Sequence, residues 1–140
     1  MGKIDSQPIL TGNKWEEVRR GGDKAIKKWI DDQMVGKSCL VVLVGTRTAE
    51  RRWVQYEIKR AWEERLGVVG VRIHGLKNLR GLTSNRGDNP FAGFTLKSTA
   101  LSKIVTLHDP FGFDSKSVYA DINDRLEDLV EEAISIRDQF

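Results

Sequence analysis

A carboxylate and an aromatic ring four residues apart, directly after an apolar run and a small polar turn, are the residues of this sequence best placed to do chemistry. They are Trp53 and Glu57, in "VGTRTAERRWVQYEI", residues 44–58. Positions four apart on a helix share a face, so the ring and the carboxylate should project together. Gly45 lets the backbone leave a strand sharply. Thr46, Arg47 and Thr48 then offer hydroxyl and guanidinium donors to a hydroxylated or phosphorylated ligand. Free N–H groups at the start of the following helix would also favour an anion. A single glutamate on a helix is more often a solvated surface group, and residue types alone leave that reading open.

The elements that must position this pair read as alternating helices and strands. Residues 1–14, with Gly2, Pro8, Gly12 and Asn13, read as an arm or loop. From Asp23 to Val35, the residues Ile26, Trp29, Ile30 and Met34 share a helical face, with Gly36 as the C-cap. The β-branched run "CLVVLVG", 39–45, has the character of a strand covered on both faces. A helix over 50–66 would bury Val54, Ile58, Ala61 and Trp62. "VVGVRI", 68–73, and "KIVTLH", 103–108, read as further strands. A last helix over 118–137 carries Ile122, Leu126, Leu129, Val130, Ala133 and Ile136 inward. Residues 75–102 read as one long loop without clear periodicity, a length that is usually functional or mobile. The alternation argues for an α/β fold with a parallel sheet, in a single domain spanning 1–140. In such sheets ligands bind beyond the carboxyl ends of the strands, which is where the turn after Gly45 and the first turns of its helix should lie.

Bulk properties exclude several classes. The chain has 140 residues, enough for one core, and no run approaches a membrane span. With one cysteine, Cys39, there is no internal disulfide, which fits a reducing, cytoplasmic setting. Cys39 opens a buried strand and reads as inert packing. The net charge of +3 is unevenly spread, with seven acids against two arginines from Ser117 onward. The basic remainder invites phosphate-bearing ligands. However, no basic and aromatic interleaving of the nucleic-acid-binding kind appears. "VGKSC" lacks the first glycine of a phosphate-binding loop and precedes a strand, and "RGD" at 86–88 is too short to carry meaning. His74 and His108 have no Cys/His cluster around them that would make a metal site.

The stretch "SCLVVLVGTRTAERRWVQYEIKRAWEE", with "WEEVRRGGDKAIKKWIDDQMVGKS" before it and "GVVGVRIHGLKN" after it, resembles the TIR-like family of Thoeris antiphage defence. The resemblance covers roughly residues 10–80 and is weaker beyond. It implies a flavodoxin-like fold, in agreement with the alternation. The family pattern of a strand, a small polar turn and then W-x-x-x-E carries the catalytic glutamate. By that match Glu57 takes the catalytic position and Trp53 the aromatic one, with Thr46 and Arg47 beside them for binding. The implied activity is cleavage of NAD⁺ between nicotinamide and ribose, giving ADP-ribose or a cyclic isomer that activates a separate effector protein. NAD⁺ is then substrate, and no cofactor or metal is expected. The resemblance also allows self-association.

Family members usually begin with an apolar strand and a loop that contributes to the nucleotide pocket, whereas this sequence starts at the following helix region. The expectation is therefore a sheet lacking the first strand of the 2-1-3-4-5 order, and weak or absent turnover by this chain. Two other readings stay open: a non-catalytic TIR-like module working through protein contacts, and a nucleoside deoxyribosyltransferase-like enzyme using a glutamate on an N-glycosidic bond.

Overall fold

A computed structural model describes residues 12–76, 83, 85–96 and 98–140, with the backbone alone for residues 12–15. The chain divides into two compact units, with the boundary between Lys37 and Ser38. The first contains helices α1 (Gly12–Arg20) and α2 (Gly22–Met34). Val18 of α1 and Ile26, Ile30 and Met34 of α2 are buried, as the 3.6-residue spacing requires. Gly36, at φ +76°, takes the left-handed conformation that stops α2. Of the expected arm 1–14, residues 1–11 lie outside the described residues, and residues 12–14 are helical.

The second unit carries a parallel sheet in the order β1-β2-β5. Its elements are β1 (Cys39–Val44), α3 (Arg52–Glu63), β2 (Gly67–Arg72), the two-residue strands β3 (Thr95–Leu96) and β4 (Thr99–Ala100), β5 (Leu107–His108) and α4 (Ser115–Asp138). Strands β1 and β2 pair from Cys39 opposite Gly67 to Val44 opposite Arg72. β2 is the central strand and all six of its residues are buried, which accounts for its apolar sequence. This is the α/β architecture with a parallel sheet that the alternation implied.

Three elements depart from expectation for visible reasons. β1 is not covered evenly on both faces. Val69, Val71, Leu129 and Ala133 form a core against which Cys39 and Val41 pack, but the cover does not reach Leu43, which is 57% exposed. α3 stops at Glu63 rather than Leu66. The Leu66 N–H returns to the Ala61 carbonyl and the Arg65 N–H to that of Trp62, a Schellman closure in which Arg65 itself holds φ +63°. The strand expected over 103–108 shrinks to Leu107–His108. The N–H groups of Ile104 and Val105 both bond back to the Leu101 carbonyl in a 3₁₀ turn, so they are not free for the ladder.

The long loop 75–102 is also not uniform. Residues 77–82, 84 and 97 lie outside the described ones. Within the rest, β3 and β4 pair antiparallel, while Pro90 and Phe91 are fully buried. Phe91 uses the space left by Gly70 on the central strand: a Cβ there would come within 2.9 Å of the Phe91 ring. Hidden apolar anchors of this kind have no periodicity to announce them. α4 begins at Ser115, earlier than the expected 118, because Asp114 caps it by accepting from the Ser117 N–H at 2.8 Å.

Candidate active site

The site begins where β1 ends. Gly45 donates its N–H to the Thr48 hydroxyl at 2.8 Å, and Thr48 Oγ1 lies 3.4 Å from the Leu43 carbonyl it reaches back to. The chain then makes a 3₁₀ turn, Thr48–Glu50, before entering α3 at Arg52. This compact turn delivers Trp53 to the first turn of α3 and Glu57 to the second.

Glu57 is half-buried and, among the described residues, makes no hydrogen bond or ion pair. Burial holds its carboxyl above the ordinary glutamate range. Its oxygens are nevertheless not sealed: the one fully enclosed side-chain polar atom without a partner, among the described residues, is Nδ1 of His74. A desolvated carboxylate with an opening and no cation is a costly arrangement for a fold, and perturbed groups of this kind cluster where proteins do chemistry. Trp53, also half-buried, meets Tyr56 edge-on at 5.9 Å between ring centres, and the Arg52 guanidinium lies 4.5 Å above its ring.

Thr46 and Arg47 both have partners within the protein. The Thr46 hydroxyl donates to the Asn85 carbonyl at 2.5 Å. Arg47 pairs with Glu50 at 3.0 Å, not with Glu57. A strap formed by residues 85–89 lies directly over the turn. A Cβ on Gly87 would come within 2.1 Å of the Gly45 carbonyl oxygen, so only glycine permits the approach. Gln55 on α3 reinforces the cover, donating to the carbonyls of Ala49 at 3.0 Å and Pro90 at 3.2 Å.

Two further groups at the same sheet edge escaped the sequence reading. Arg72, the last residue of β2, is 6% exposed and donates from Nη1 to the Gly87 carbonyl at 2.5 Å. Its signal was available: an arginine inside the apolar run "VVGVRI". The second is a pair with no sequence signal, His108 Nε2 and Asp121 Oδ2 at 2.7 Å. Asp121 also accepts the Phe111 N–H at 3.2 Å, and these bonds, the histidine first, hold its carboxyl below the usual aspartate range. Cys39 is half-buried and its thiol is pushed up to about 11 by burial, so it carries no thiolate at neutral pH. Among the described residues no cluster of His, Cys, Asp or Glu could hold a metal ion, and no helix is long and apolar enough to cross a membrane.

Comparison with known proteins places the chain in a family. Residues 2–78, which include the turn, Trp53, Glu57 and Arg72, match the family model of the Thoeris protein ThsB, TIR-like domain. The chain is also 32% identical over 83 residues to a Bacillus cereus (strain MSX-D12) protein named "Putative cyclic ADP-D-ribose synthase ThsB1". That alignment covers 59% of this chain and 43% of the relative, so the chain spans less than half of the relative's length. The family match extends over more than half of the sequence, and the chain belongs to the TIR-like domain family of the Thoeris protein ThsB.

Proposed function

We propose that this chain is an NAD⁺-cleaving TIR-like domain in which Glu57 is the catalytic carboxylate. The observation that carries the reading is Glu57 itself, a desolvated carboxylate with no cation partner among the described residues, one helical turn after Trp53 on α3. Breaking the bond between nicotinamide and ribose needs little else. Nicotinamide departs as a neutral molecule from a cationic ring, so no acid must protonate it, unlike the leaving group of most glycoside hydrolysis. Positive charge then develops on the ribose, and a carboxylate already stripped of water stabilises it strongly at no further reorganisation cost. The cationic substrate also supplies the counter-charge that Glu57 lacks among the described residues. Trp53 supplies a flat face to hold the ribose end and keep water away.

The acceptor decides the product. Water gives ADP-ribose, and a hydroxyl on the adenosine side, folded close, gives a cyclic isomer. The name of the Bacillus cereus relative favours the cyclic outcome. A nucleotide product of this kind would act on a separate effector protein. Thr46 and Arg47 are proposed to bind substrate by exchanging their present partners, the Asn85 carbonyl and the Glu50 carboxylate, for the ligand.

The test is nicotinamide release from NAD⁺. Glu57→Gln should lower kcat by about 100-fold or more, the scale of removing one preorganised electrostatic group. Turnover unchanged in the Gln variant would remove the reading and leave a module working through protein contacts. Release from deoxynucleosides but not from NAD⁺ would instead favour deoxyribosyltransferase-like chemistry.

A further inference from the structure

The central strand ends in a charge that the proposed mechanism does not use. Arg72 is 6% exposed, and its one hydrogen bond among the described residues runs from Nη1 to the Gly87 carbonyl. No carboxylate among them lies within ion-pair distance of it. Asp109, its closest candidate by register, pairs with Arg86 at 3.3 Å instead. Among the described residues His74 Nδ1 is the one enclosed side-chain polar atom without a partner, so the remaining guanidinium nitrogens are not sealed from solvent. Arginine carried this far into a fold is normally paired in direct contact, whereas Asp109 and Asp88 act on Arg72 only from beyond ion-pair distance. A stem buried in the central strand with an open donor edge at the carboxyl end of the sheet is therefore built to meet an anion. The charged groups around it are Arg86, Asp109 and Asp88.

We propose that Arg72, with Arg86 on the strap beside it, is the seat for a diphosphate group. The planar guanidinium fork matches two phosphate oxygens at once. Open parallel sheets take their ligands at this edge. The strap contributes Arg86 to the seat while its Gly87 carbonyl holds the Arg72 side chain extended. Identifying the natural ligand as the diphosphate of NAD⁺ rests on the proposed function, whereas the anion chemistry does not.

The experiment titrates the full chain with inorganic pyrophosphate, by calorimetry and by thermal shift, against sulfate at matched ionic strength. Pyrophosphate should bind and sulfate should not compete at equal concentration. Arg86→Ala should weaken pyrophosphate about three- to tenfold, and Asp109→Asn should tighten it by a similar factor, the scale of one nearby partly screened charge. These two residues are on the surface, so neither variant depends on the survival of a buried group. Arg72→Gln should abolish binding. If Arg72 merely tethers the strap, Arg86→Ala and Asp109→Asn leave pyrophosphate affinity unchanged, and the seat is disproved. Wild-type protein that does not distinguish pyrophosphate from sulfate disproves it equally. Pyrophosphate binding with these signed shifts but nicotinamide release that Glu57→Gln leaves unchanged keeps the seat and removes the NAD⁺ reading. Nicotinamide release without pyrophosphate binding does the reverse.

Discussion

The two ends of β2 each hold a buried arginine, and they treat it differently. At the amino end α4 crosses so close to Gly67 that a Cβ there would lie 2.6 Å from the Ile134 nitrogen. One turn further on, Arg137 is 7% exposed. It donates from Nε and Nη2 to the Trp62 carbonyl at 3.2 and 3.0 Å and from Nη1 to the Phe140 carbonyl at 2.8 Å. Its guanidinium also stacks 4.3 Å above the Trp62 ring. All three guanidinium nitrogens donate to carbonyls, at the carbonyl end of α3 where a cation is favoured. At the carboxyl end, Arg72 has one carbonyl partner and Glu57 has none among the described residues. One edge of the sheet is finished by its own side chains, and the other leaves charged groups waiting for something else. Unfinished polar groups in an otherwise satisfied fold mark where function sits.

The largest effect should come from the finished edge. Arg137→Ala removes three hydrogen bonds and the stacking on Trp62, a loss of about 2–4 kcal/mol. Chemical denaturation should register this as a lower midpoint with an unchanged slope. Arg72→Gln should cost clearly less, because it breaks one hydrogen bond and removes a buried charge that no carboxylate contacts among the described residues. Equal losses from the two variants would erase the distinction between the edges. Next in size is Gly67→Ala. Its new methyl would meet the backbone of Ala133 and Ile134, which cannot swing aside as a side chain can. A loss of about 1–3 kcal/mol is expected from overpacking. Gly87→Ala, at the other edge, meets the backbone of the turn at Gly45 and Thr46 just as tightly. There the strap can lift, so stability should fall less while the Thr46 hydroxyl is released. Limited proteolysis near residues 85–89 would report that opening.

How far the sequence disclosed all this follows from the range of each interaction. Local periodicity and propensity found α2, β1, α3, β2 and α4 with small errors at their ends. It also put Trp53 and Glu57 on one helical face, since four-residue spacing is a property of the helix itself. Errors arose where distant backbone took part. The third strand shortened because Leu101 captured the N–H groups of Ile104 and Val105. Phe91 is a core residue only because Gly70 faces it from another element. The engagement of Thr46 depends on Asn85, 39 residues away, and the His108–Asp121 pair likewise joins a strand to a helix. Arg72 is a different case. A charge at the end of a fully apolar strand was readable in the letters, and it was passed over because periodicity treats it as one exception among six.

The smallest predicted effect is also the one that links the unfinished edge to the proposed chemistry. Burial raises the Glu57 carboxyl above its ordinary value of 4.5, so the folded protein binds a proton there more tightly than the unfolded chain does. Ionised Glu57 therefore destabilises the fold above its folded value, and the penalty disappears as pH falls through that value towards 4.5. Asp121 has the opposite sign: its lowered value contributes stability that is lost only as pH falls through it, below the ordinary 3.8. Glu57→Gln keeps the shape and removes the charge, so it should raise Tm at pH 7. The gap over wild type should close on approaching pH 4.5. A variant both more stable and inactive would mean that the unpaired carboxylate is retained for catalysis against its cost to the fold. A variant less stable than wild type at neutral pH would mean that the carboxylate has a partner that holds it, and the contrast between the two edges would then rest on Arg72 alone.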